Sequence, residues 1–184
     1  IYGVAAADAG LPVEVALGMS LIVFAGSAQF IAALLFGDGT PGLIIVLTTF
    51  VVNLRHMLYS ASLAPYVRHL SRAWKYMLAF LLTDEAYAVT ITHYRQTGNA
   101  ASARGSSRHY FYLGAGLTLW VSWQISTAIG VLLGGQVPES WSLDFTLALT
   151  FIALTIPTLT DRPAVLAALA AGITAVAAHS LPYN

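Results

Sequence analysis

Four ionisable side chains fall within long apolar stretches of this sequence. Arg55 and His56 follow Asn53 and Leu54 midway through the run from Gly42 to Tyr66, and Asp84 and Glu85 lie halfway between Trp74 and Tyr94. A charge at the centre of a bilayer costs at least about 2.5–3.5 kcal/mol, so such groups need partners. The simplest compensation is mutual, with Arg55 beside Asp84 or Glu85 and facing a bundle interior or a wet cavity. Successive helical positions point about 100° apart. The two carboxylates therefore cannot both face one guanidinium, and one stays free to titrate. Burial of a carboxyl favours its protonated form, which suits a proton carrier. His56 is a second titratable group, although a plain hydrogen-bonding role fits it as well. The same cluster also fits a purely structural ion pair that fixes helix packing.

Uncharged polar groups fall at similar depth. Ser27 and Gln29 sit within Phe24-Ala25-Gly26-Ser27-Ala28-Gln29-Phe30, and Ser122 and Gln124 flank Trp123. Gly26 and Ser27 in mid-helix weaken the helix and can free backbone groups for a ligand. A broken helix directs its N-terminal amides at an anion, which is one way to hold an amino-acid carboxylate. Tight helix packing through Gly, Ala and Ser is the alternative. Under the binding reading, Gly26, Ser27, Gln29, Asn53, Ser122 and Gln124 supply polar contacts. Phe24, Trp120 and Trp123 then form an apolar wall. Pro157 is expected to kink its own segment.

The elements that carry these residues follow from the apolar runs. A spanning helix needs roughly 20 mostly apolar residues, and six stretches qualify: 13–36, 42–66, 74–94, 110–133, 143–159 and 164–181. An all-α integral membrane protein is the expected fold class. The turn cluster Gly37 to Pro41 ends the first stretch, and the polar stretch 95–109 divides the chain into halves 1–94 and 110–184. Ser27-Ala28-Gln29 is echoed by Ser122-Trp123-Gln124, and Thr49-Phe50-Val51 by Thr150-Phe151-Ile152. Three spans per half imply two inverted repeats with broken helices and a site between them. The chain opens at Ile1 inside apolar sequence, and an earlier segment is expected to precede it.

Composition agrees with lipid as the solvent. Of 184 residues 58% are hydrophobic and 9% charged, against about 25% charged in soluble domains. Mean hydropathy is +0.74. Formal net charge is zero, so no basic field exists to attract nucleic acid. The basic residues of loops 67–75 and 95–109 balance, and Arg162 alone tips the orientation. With no cysteine, thiolate metal sites and disulfides are excluded. The five histidines lack His-x-x-x-His spacing, and no phosphate-binding loop or nucleophile elbow is present. No cofactor, metal or enzymatic activity is expected.

The motifs together point to a family. Met19 to Phe30, then Asn53-Leu54-Arg55-His56, then Thr83-Asp84-Glu85 resemble, in order and over essentially the whole chain, the AzlC family, the large subunits of bacterial branched-chain amino-acid exporters. The resemblance implies proton-driven export of valine, leucine and isoleucine, with methionine as a further substrate. It also implies a small hydrophobic partner of the AzlD type and a place in the bacterial cytoplasmic (inner) membrane. Arg55, His56, Asp84 and Glu85, assigned to a charge network by the depth and spacing argued above, stand at positions that match these motifs. A channel or pore subunit and a non-transporting assembly subunit are the rival readings.

Overall fold

The computed structural model describes residues 1–97, 107–133, 152, 156, 159 and 161–178. Among them every regular element is a helix: α1 (Tyr2–Asp8), α2 (Val13–Ile22), α3 (Gly26–Gly37), α4 (Gly42–Asn53), α5 (Arg55–Val67), α6 (Arg72–Phe80), α7 (Asp84–Gln96), α8 (Arg108–Leu133) and α9 (Arg162–Ala178). The chain divides into two compact units, Ile1–Trp141 and Ser142–Asn184. The expected segment 143–159, with Pro157 and most of the second echo, lies almost wholly outside the described residues. In the second unit α9 opens on Asp161, whose Oδ1 accepts the Ala164 N–H at 2.8 Å. An acceptor there satisfies one of the donors that every helix N-terminus leaves free.

Three of the expected spans are each two helices in succession. Stretch 13–36 is α2 and α3, stretch 42–66 is α4 and α5, and stretch 74–94 is α6 and α7. By contrast α8 runs unbroken for 26 residues, about 39 Å at 1.5 Å per residue, and it is the spine of the first unit. Helices α1, α2, α6 and α7 pack on it, while α3 packs on α1 and α4. The short α1 had no counterpart among the expected segments. It crosses α8 almost backbone to backbone, because a Cβ on Gly3 would stand 2.3 Å from the Thr127 carbonyl oxygen.

The core beside α8 joins Leu63, Leu78, Leu82, Ala86, Ile91, Tyr94 and Tyr112. Its tyrosines are tied down: Tyr112 Oη donates to the Leu78 carbonyl at 2.8 Å and Tyr94 Oη to that of Arg108 at 3.0 Å. The outside is as apolar as the inside. Helix α4 buries no residue, and Leu43, Val46, Phe50 and Val51 are more than 60% exposed. A contiguous exposed apolar surface of this extent marks a surface that something other than water covers. Gly42–Val67, taken across Leu54, and Arg108–Leu133 are each 26 residues long and apolar enough to cross a bilayer.

Candidate functional site

The three breaks meet at one side chain. Arg55 opens α5, immediately after the break at Leu54. Its Nη1 lies 2.7 Å from Asp84 Oδ2, and its Nη2 donates to Ser27 Oγ. Ser27 belongs to the first turn of α3 and Asp84 to that of α7. One guanidinium thus links the starts of three half-helices, a geometry that its planar fork of donors suits.

Each break has its own local cause. At the first, Phe24 adopts φ 41°, the left-handed region that L side chains avoid, and Ala25 is extended. The break frees the Ser20 carbonyl, which a continuous helix would pair with the Phe24 N–H. Gln124 Nε2, from α8, donates to it instead at 3.0 Å. Ser20 Oγ and Thr127 Oγ1 add a second link at 3.3 Å. The α3 N-terminus has no side-chain cap. At the second break the pairing shortens by one residue, with Leu54 N bonded to Val51 O and Met57 N to Leu54 O. His56 Nδ1 lies 3.0 Å from the Asn53 carbonyl, so an Nδ1–H there donates to it. At the third break Thr83 is extended and its Oγ1 accepts the Ala86 N–H at 3.3 Å. Asp84 and Glu85 fill the first turn of α7, where the helix dipole favours negative charge.

The residues singled out in the sequence divide among three places. Arg55, Ser27 and Asp84 form the bridge, with Tyr59 beside the pair and stacked on Tyr87 at 4.6 Å. Gly26, Trp123 and Gln124 surround the first break. A Cβ on Gly26 would stand 3.0 Å from Trp123 Cη2, and the indole stacks on Tyr2 with ring centroids 6.3 Å apart. Phe24 packs near Phe80, at 6.2 Å between centroids. Gln29 is fully buried with its amide beside the Tyr2 phenol, and neither of its polar atoms makes a hydrogen bond of good geometry among the described residues. The indole N–H groups of Trp120 and Trp123 and the Asn53 Oδ1 are in the same position. Glu85, next in the chain to Asp84, and Ser122 line an open cavity of about 560 Å³ between α7 and α8. Ser122 Oγ also donates to the Leu119 carbonyl of its own helix at 3.0 Å. Ser122, Trp123 and Gln124 are consecutive on one helix and so diverge by about 100° each. Sequence reasoning missed Ser20, Tyr59, Thr83 and Thr127; a Thr before two acids is a capping signal that marks Thr83, while the other three carry no local sign.

A bundle of broken helices with an apolar exterior and a half-buried charge bridge is the architecture of a membrane protein with a polar interior. The chain belongs to the AzlC protein family of membrane proteins, whose family model matches residues 1–137. It is 31% identical over 184 residues, 98% of its own length and 76% of the relative's, to an uncharacterized membrane protein of Archaeoglobus fulgidus. It is 26% identical over 191 residues, 98% and 75% of the two chains, to the inner membrane protein YgaZ of Escherichia coli. It is 28% identical over 155 residues, 83% and 58% of the two chains, to the branched-chain amino acid transport protein AzlC of Bacillus subtilis. No solved structure matches the chain.

Proposed function

We propose that this protein is the transmembrane subunit of a proton-driven exporter of branched-chain amino acids. It spans the cytoplasmic membrane six times and works with a small AzlD-type partner. The observation that carries the reading is the Arg55 bridge between Ser27 and Asp84. A guanidinium at the meeting point of two half-helix N-termini is a ready partner for a substrate carboxylate, which the uncapped start of α3 can share. The carboxylate then competes with Asp84 for Arg55, so substrate entry and rearrangement of the breaks are one event. The buried Gln29 amide and the Trp120 and Trp123 N–H groups offer further polar contacts, and Phe24 and the indole faces suit a branched apolar side chain. The name of the B. subtilis relative agrees with that substrate class.

The test is leucine flux in proteoliposomes, with and without the small partner, under imposed pH gradients. Saturable, gradient-driven leucine movement supports the reading. If folded protein moves no leucine under any gradient, the exporter reading is wrong; flux that never saturates favours a pore.

A further inference from the structure

The notable feature of Glu85 is that it does not take part in the bridge next to it. Asp84 holds Arg55 at 2.7 Å, and among the described residues no cation stands within ion-pairing distance of Glu85. Glu85 lines the cavity between α7 and α8 instead, together with Val89, Gly114, Thr118, Leu119 and Ser122. At about 560 Å³ this cavity lies within the range of small-molecule sites, roughly 300–1,000 Å³. Its lining has a division of labour: one carboxylate, the three hydroxyls of Tyr110, Thr118 and Ser122, and walls of aliphatic side chains and the Phe111 ring. An anion in a mostly apolar cavity needs a counter-charge, and a primary ammonium supplies one with three donors for the carboxylate and the hydroxyls. Among the described residues the titratable groups next to Glu85 are Asp84, its neighbour in the chain, and Tyr110 of α8, which lines the same cavity; Arg55 of α5 is engaged by Asp84. None of them supplies a proton-bearing cation inside the cavity.

We infer that the cavity between α7 and α8 is the subsite for the substrate's ammonium group, with Glu85 binding that ammonium and a proton by turns. The inference rests on the exporter reading above and adds to it the group that enforces exchange. A carboxylate that holds a proton has no charge left for an ammonium. On the outer side a proton adds to Glu85 and the ammonium leaves with the amino acid; on the inner side Glu85 loses the proton and takes the next ammonium. Charge and protons balance at one proton inward for each amino acid outward at this site. The competition makes the coupling an antiport without a second titrating group.

Three measurements on the full-length protein separate the possibilities. In proteoliposomes, 3-methylbutylamine, which keeps the ammonium and the branched chain of leucine, inhibits leucine flux, and more weakly as pH falls. In Glu85→Gln that inhibition weakens by about tenfold, as expected on removing one partner of a charge pair, and the KM for leucine stops depending on pH. Inhibition by 4-methylpentanoate, which keeps only the carboxylate, is unchanged. In Gly114→Leu, where an added Cβ meets nothing within 4 Å, the cavity is filled without disturbing the helix. Amine inhibition falls there too, and that variant decides the matter if Glu85→Gln does not fold. Amine inhibition and pH-dependent KM that persist in both variants overturn the inference while leaving leucine transport standing. If the wild-type protein moves no leucine, direct binding of the amine to detergent-solubilised protein is measured. Binding lost in Glu85→Gln then keeps the ammonium site and removes the exporter.

Discussion

Helices α2 to α7 and helix α8 solve opposite problems with the same apolar alphabet. Three runs in the first group are interrupted midway, and each interruption places a polar group at the start of a new helix: Ser27, Arg55 and Asp84. The spine α8 carries as many polar residues through its middle, Ser122, Gln124, Ser126 and Thr127, without a break. The difference lies in where the backbone bonds go. Ser122 and Ser126 return their hydroxyls to carbonyls of their own helix, whereas Gln124 reaches across to the carbonyl that the first break leaves open. The intact helix thus supplies the hydrogen bond that the broken one lacks, as buried backbone groups require.

Removing the charge at the meeting point should harm the broken region most. Arg55→Met leaves Asp84 without its cation, and a cost of about 2–4 kcal/mol is expected. That is below the upper range for a fully buried pair, because the two side chains keep 27% and 20% exposure. The partner substitution Asp84→Leu added to Arg55→Met should recover most of the loss, since an apolar pair leaves no orphan charge. Thermal unfolding in detergent of the wild type, each single variant and the double variant checks this. A double variant no more stable than Arg55→Met would mean that the bridge is not a local pair. Next in size is the link from spine to break. Gln124→Leu keeps the volume and removes the donor to Ser20, at a cost of about 1–3 kcal/mol for an unsatisfied buried carbonyl. Hydrogen exchange should then rise at the end of α2 and the start of α3 and stay unchanged at the far end of α8. Uniform loosening of both regions would refute the division drawn between them.

How much of this was legible in the sequence depends on whether the cause was local. The apolar runs announced an all-helical fold, and two of them, Gly42–Val67 and Arg108–Leu133, are long and apolar enough to cross a bilayer. Charge compensation announced that Arg55 needs a carboxylate, and helical geometry that Asp84 and Glu85 diverge. Gly26-Ser27 hinted at the first break. Nothing in Leu81-Leu82 announced the third, since two leucines continue a helix as readily as they end one, and the choice is made by the Thr83 cap and by Leu81 and Leu82 seating in the core. The Gln124–Ser20 bond spans 104 residues, beyond any sequence pattern. The short α1 was missed because seven residues carry too little periodicity, and its place depends on the glycine contact with α8.

Strain at the first break provides a finer probe. Phe24 is held at positive φ at a cost of about 1–3 kcal/mol, and its ring is buried near Phe80. Phe24→Ala loses the ring and keeps the strain, while Phe24→Gly loses the ring and relieves it. The glycine variant should therefore be the more stable of the two by about 1 kcal/mol, the reverse of the order expected inside a regular helix. Unfolding temperatures of the pair decide it, and alanine above glycine would mean that Phe24 is helical in solution.

The smallest effect compares the break that is capped with the one that is not. Thr83 accepts the Ala86 N–H and so satisfies one donor at the start of α7. Ala25, in the equivalent place before α3, has no side chain to do so. Thr83→Ala should cost about 1 kcal/mol, the usual value of an N-cap. Asp84 and Glu85 still interact with the helix dipole in that variant, which holds the loss near this value. Ala25→Ser, with a hydroxyl able to accept a first-turn N–H, should stabilise by a similar amount and impair leucine flux. The impairment is the informative half, because a capped α3 no longer offers those amides to a carboxylate. If Ala25→Ser is more stable and transports as well as the wild type, the α3 N-terminus is not where the carboxylate sits, and Arg55 alone must hold it.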